Sequence, residues 1–64
     1  MEENMTSKEI IAKLKKEGWE LKGQTGSHTQ WWHPVTKKRV TVPHPRKDFP
    51  VGTLKNIFKQ AGWE

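Results

Sequence analysis

Three histidines, His28, His33 and His44, are the side chains of this sequence best suited to proton transfer near neutral pH. The chain has no cysteine and no tyrosine, and Asp48 is its sole aspartate. A Ser-His-Asp triad built on Ser27 fails, because Ser27 and His28 are neighbours on opposite faces of a strand. They cannot meet as nucleophile and base. A zinc site built from the three histidines has no usual ligand spacing, and strand alternation separates His28 from His33. No glycine-rich phosphate loop of the P-loop or dinucleotide-binding type is present. What remains is metal-free acid–base chemistry, which suits RNA because RNA brings its own nucleophile, the 2′-OH. Such a reaction needs a base for the 2′ proton, cations for the charge on the phosphorane oxygens and an acid for the leaving 5′ oxygen. No cofactor and no metal are expected.

The elements that must position these residues are well punctuated. Thr6 and Glu9 fit a capping box, and Met5 and Ile10 the flanking hydrophobic staple. Ile10, Ile11 and Leu14 form a stripe at helical spacing, and Gly18 with Trp19 suits a left-handed stop in which Trp19 returns to Leu14. A helix over residues 6–17 is predicted. From Trp19 the period changes to two, giving a strand over about 19–24, a turn at Gln24-Thr25-Gly26-Ser27, and a second strand over about 28–33. Pro34 ends that strand, and a third follows over 38–43 with Val40 and Val42 on one face. Short connections make the three an antiparallel meander. After the proline-rich connector 44–50, Leu54, Ile57, Phe58 and Ala61 mark a second amphipathic helix, for which Asp48 and Thr53 are alternative caps. Gly62 and Trp63 end it as Gly18 and Trp19 end the first.

The order α-β-β-β-α, with one apolar stripe per helix and one apolar sheet face, predicts a two-layer α+β sandwich with both helices on the same face. This is the topology of double-stranded-RNA-binding domains. Alternation points Trp19, Leu21, Gly23, Val40 and Val42 at the helices, and Glu20, Lys22, Gln24, Arg39 and Thr41 away from them. In the second strand, burying Thr29, Trp31 and His33 costs less polar desolvation than burying His28, Gln30 and Trp32. His28, Gln30 and Trp32 therefore go to the open face, placing the imidazole beside Lys22 and Arg39. There Trp32 can stack a base, worth about 1–3 kcal/mol. The expected RNA contacts are Lys22, Gln30, Trp32 and Arg39. His33 is expected to cap its strand and pack on a helix, and His44, bracketed by Pro43 and Pro45, to shape a rigid turn, with phosphate binding as its alternative role. Lys37 and Lys38 read as a solvated hairpin tip, and Lys13, Lys15 and Lys16 as the wet face of the first helix, with contact to an RNA backbone as the alternative by analogy with RNA-binding domains of this topology.

Composition agrees with this reading. The chain has 64 residues, 31% of them apolar, and a net charge of +5. It is too short for a nucleotide-binding α/β fold and is expected to form one domain over 1–64. Its longest apolar run, Ile10-Ile11-Ala12, suits neither a signal peptide nor a membrane span, so a cytoplasmic location is expected. The charge is lopsided. Residues 1–20 and 48–64 nearly balance, whereas 21–47 hold Lys22, Lys37, Lys38, Arg39, Arg46 and Lys47 without an acid. A block of this kind attracts a polyanion.

Several separated motifs then match one family in order. They are Gly18-Trp19, Gly26-Ser27-His28, Trp31 followed by His33-Pro34, Val40-Thr41-Val42-Pro43-His44-Pro45, and Gly52-Thr53-Leu54 through Ile57 with Lys59-Gln60-Ala61-Gly62. Over roughly residues 6–63 the chain resembles the HicA toxins of type II toxin–antitoxin systems. The resemblance implies a double-stranded-RNA-binding-domain-like fold acting as an mRNA interferase, a ribosome-independent endoribonuclease that halts translation. It places the catalytic histidine of the Gly-Ser-His motif at His28, and it implies a HicB antitoxin that covers the active-site region. Many relatives carry a histidine or other polar residue at position 29 and a polar or basic one at 32. Thr29 here argues against a paired-histidine arrangement, and Trp32 adds exposed apolar surface for a nucleobase or the antitoxin. A non-catalytic RNA-binding module of the same fold is the competing reading, distinguished by whether the isolated chain degrades RNA.

Overall fold

The fold follows from where each helix stops and which strand residues are buried. In a computed structural model that describes residues 5–63, the elements are α1 (Ser7–Lys16), β1 (Glu20–Thr25), β2 (His28–Trp32), β3 (Arg39–Pro43) and α2 (Val51–Ala61). Both bonds of the α1 capping box are present: Glu9 N–H donates to Thr6 Oγ1 at 3.2 Å, and Thr6 N–H to Glu9 Oε1 at 2.9 Å. At the other end Gly18 takes φ +95° and Trp19 N–H donates to Leu14 C=O at 3.0 Å, which is the left-handed stop that the Leu14/Trp19 spacing predicts. An added Cβ at Gly18 would also lie 3.3 Å from His33 Nε2, a tight contact that the ring would relieve by moving a few tenths of an ångström, so the positive φ is the stronger reason for glycine. α2 repeats the device. Gly62 has φ +79°, Trp63 N–H donates to Phe58 C=O at 2.8 Å, and the Trp63 and Phe58 rings meet edge-on at 5.4 Å.

The start of α2 differs from expectation. Its N-cap is Pro50, with no side-chain cap, so neither Asp48 nor Thr53 fills that role. Pro50 lies in extended backbone with φ −56° and ψ 148°, an N-cap conformation that proline's fixed φ favours without any side-chain hydrogen bond. The neighbouring Phe49 is buried, although the connector around it carries no periodicity that would mark it as core.

The sheet is antiparallel in the order β1-β2-β3, as the short connections require. Thr29, Trp31, Val40 and Val42 are buried on one face, and with Ile10, Leu14, Trp19, Phe49, Ile57 and Ala61 they form a single core between sheet and helices. The α+β sandwich stands as predicted. Thr29 is tolerated inside because it is satisfied: its hydroxyl donates to Val42 C=O at 2.7 Å and accepts from Trp31 Nε1 at 2.9 Å.

Strand β1 departs from simple alternation. Leu21 faces Trp31 and Gly23 faces Gln30, so Lys22 is bulged out between them and the register shifts by one. Beyond the bulge Gln24 pairs with Thr29 on the helix side and Gly23 moves to the open side, the reverse of the expected placement. Leu21 keeps its expected face but is 53% exposed, because the helices pack mainly over β3 and leave the β1 edge uncovered. Among the described residues no helix is long and apolar enough to cross a membrane.

Candidate functional site

The open face of the sheet is a three-by-three grid set by pairing. Its first row is Thr25, His28 and Pro43, its second Gly23, Gln30 and Thr41, and its third Glu20, Trp32 and Arg39. His28, Gln30 and Trp32 therefore share one face, as the desolvation argument requires, while Thr29 and Trp31 turn inward. His28 is exposed at the end of β2 next to the Gly26 turn, where Gly26 takes φ +58°. No described residue hydrogen-bonds its ring, so both nitrogens stay available to a ligand.

The cations lie elsewhere on the grid. Lys22, thrown outward by the bulge, holds its Nζ 4.5 Å from the Trp32 ring centroid. Lys37 Nζ lies 5.0 Å from the same ring, and Arg39 is the direct cross-strand partner of Trp32. The Lys37 contact was not legible in the sequence. Lys37 has φ +64°, a left-handed turn residue that lets the hairpin fold back over β2, and nothing in its residue type signals this.

His28 is thus not beside Lys22 and Arg39, contrary to the sequence expectation. Four residue steps along the strand separate it from Trp32, about 13 Å at the usual rise. Simple alternation places residues on a face without fixing their row, and the cross-strand register decides the row. The structure gathers Lys22, Trp32 and Arg39 at one end of the face, with Gln30 between them and His28 at the other. Thr29, on the opposite side of the strand, is not a partner for His28.

The other two histidines are held by structural bonds. His33 Nε2–H donates to Glu17 C=O at 2.8 Å, and its Nδ1 accepts from Val35 N–H at 3.1 Å, which fixes one neutral tautomer. With its ring edge-on to Trp19 at 5.4 Å, His33 ties the β2–β3 turn to the end of α1, the capping and packing role expected of it. His44 turns to the helix side, where its Nδ1 lies 2.7 Å from Oγ of the buried Ser7. Its N–H donates to Ser27 C=O at 2.7 Å, so it joins the sheet end that carries His28 but faces the opposite way. Among the described residues no group of three or more histidine, cysteine, aspartate or glutamate side chains is placed to hold a metal ion.

Chemically, the open face offers one unengaged imidazole, an amide and an indole flanked by three cations, in a line long enough for several nucleotides. A search of curated proteins finds no match to this chain. A family model described as the HicA toxin of bacterial toxin–antitoxin systems matches residues 7–63. That span takes in all five elements, both glycine stops and the Gly26-Ser27-His28 turn, and the chain accordingly belongs to the HicA toxin family, whose members act within toxin–antitoxin pairs.

Proposed function

We propose that this toxin is an endoribonuclease, an mRNA interferase that cleaves RNA by metal-independent acid–base catalysis centred on His28. The observation that carries the reading is the exposed, unengaged His28 ring at one end of a sheet face whose other end presents Trp32 between Lys22, Lys37 and Arg39. In this reading the RNA strand runs along β2. Trp32 stacks a base, Lys22 and Arg39 contact neighbouring phosphates, and Gln30 hydrogen-bonds a nucleotide between them. At His28 the imidazole takes the proton from a 2′-OH. The 2′ oxygen then attacks the adjacent phosphorus, and the bond from phosphorus to the 5′ oxygen breaks as that oxygen gains a proton. Cleavage of mRNA halts translation in the cytoplasm, and the antitoxin of the pair, of HicB type, neutralises the toxin by covering this face.

The test is the isolated chain against its His28→Ala variant, with RNA integrity and growth as readouts. The variant is expected to fold and bind RNA as the parent does while losing at least about 100-fold in cleavage rate, the lower range for a general acid–base group. Full cleavage by the folded variant would overturn the assignment. Parent protein that binds RNA and never cuts it would instead establish the non-catalytic module. EDTA is expected to leave the rate unchanged, and a clear loss would overturn the metal-independent mechanism.

A further inference from the structure

The open face carries its cations at the Trp32 end, so an RNA strand leaving the His28 end needs another electrostatic hold. The molecule has a basic surface at that end, on the helix side. Two adjoining shallow hollows share Lys8 and His44. One is lined by Arg46 and Lys47 from the β3–α2 connector, and the other by Lys15 from α1. Among the described residues no acid lines either hollow, and Glu20 lines the neighbouring one that shares Lys15 and His44. The carboxylates of Glu9 in α1 and of its C-cap Glu17 are engaged elsewhere, Glu9 by the Thr6 backbone and Glu17 by Trp63 Nε1 at 2.7 Å. Lys8 and Lys15, seven residues apart, fall on the His44 side of α1.

His44 is built into the hollow. Ser7 Oγ lies 2.7 Å from His44 Nδ1, accepts from Arg46 N–H at 2.8 Å and lies 3.1 Å from Arg46 C=O, while Ser7 N–H donates to the same carbonyl at 2.8 Å. These bonds lock the imidazole and the Arg46 backbone to the first turn of α1. His44 Nε2 has no partner among the described residues and is not buried, so it is open to a ligand. A fixed ring nitrogen shared by two hollows, one lined by Lys8, Arg46 and Lys47 and the other by Lys8 and Lys15, is the chemistry of phosphate recognition.

We infer that this hollow is a second phosphate site, which holds the backbone of the RNA strand where it passes off the His28 end of the sheet. The inference rests on the RNA reading above and extends it to residues on the opposite face. Two contact regions, Trp32 and the His44 hollow, would then flank the position of the scissile bond, and holding the strand at both sides restrains its geometry at His28.

The experiment measures binding of a fluorescent single-stranded RNA across a salt series, on a His28→Ala background so that the RNA stays intact. Lys8→Ala/Lys15→Ala changes exposed helix positions to a strong helix former and preserves the fold. It is expected to weaken binding about tenfold near 0.1 M salt and to flatten the slope of log K against log salt by about 1.4, two contacts at roughly 0.7 each. Lys16→Ala/Lys59→Ala removes the same charge away from the hollow and is expected to change neither quantity. With His28 intact, the Lys8/Lys15 pair should lower kcat/KM about tenfold, in step with its loss of affinity. Unchanged affinity and slope in the Lys8/Lys15 variant would overturn the inference while leaving the His28 assignment standing, and would point to an acidic protein surface as the occupant. An equal loss in both pairs would also overturn it. If the parent binds RNA with the predicted dependence and never cuts it, the enzymatic reading falls and the second site stands.

Discussion

Thr29 is a polar side chain whose place in the core rests on two hydrogen-bond partners. It lies in the core at 4% exposure, and its hydroxyl links Val42 C=O to the indole N–H of Trp31. Thr29→Val keeps the shape and β-propensity but strands a buried indole N–H. The expected cost is about 1–3 kcal/mol of folding free energy. Thr29→Ser retains the hydroxyl and is expected to recover part of that loss, and urea midpoints for the two variants check both. The position next to His28 is therefore structural in this chain. Desolvation reasoning on the sequence assigns Thr29 and Trp31 inward and His28, Gln30 and Trp32 outward, because one strand offers only two choices and they differ clearly in buried polarity. It does not reveal Lys37 over Trp32, since that contact depends on a backbone turn and not on residue type.

At the scale of elements, caps and stops are local and so are readable. Every bond of the α1 capping box and of both glycine stops joins residues no more than five apart, and each was anticipated from spacing. Thr6→Ala removes the acceptor for Glu9 N–H and is expected to cost about 1 kcal/mol, measurable as a fall in thermal midpoint. No equivalent variant exists for α2, whose Pro50 cap makes no side-chain bond. The bulge at Lys22 is the element-scale feature that alternation missed. An extra strand residue leaves almost no trace in composition beyond the glycine that follows it, Gly23, yet it throws Lys22 toward Trp32 and turns Gln24 to the helix side.

Across the whole molecule, a chain of 64 residues has a stability on the order of 3–10 kcal/mol, so one long-range tether matters. Ser7 is that tether: 1% exposed, it joins the first turn of α1 to His44 and Arg46, almost forty positions on. Ser7→Ala leaves Arg46 N–H and His44 Nδ1 without their partner. It is expected to destabilise by about 1–3 kcal/mol and to speed amide exchange around Arg46, which hydrogen exchange reads directly. If the tether also orders the phosphate site, the same variant should weaken RNA binding under conditions where it remains folded.

By itself the sequence determined the five elements, their stops, the two-layer packing, the inward and outward sets of β2, and the family through its ordered motifs. Those features depend on periodicity, backbone-special residues and desolvation, all of which act over a few neighbouring positions. Only the tertiary structure decided which outward residues share a row, and so separated His28 from Lys22 and Arg39. It alone brought Lys8 to Arg46 and Lys47, and Lys8 and Lys15 to His44 at the sheet end. Register and helix docking couple residues tens of positions apart, and a charge count along the chain averages over the faces that folding sets apart.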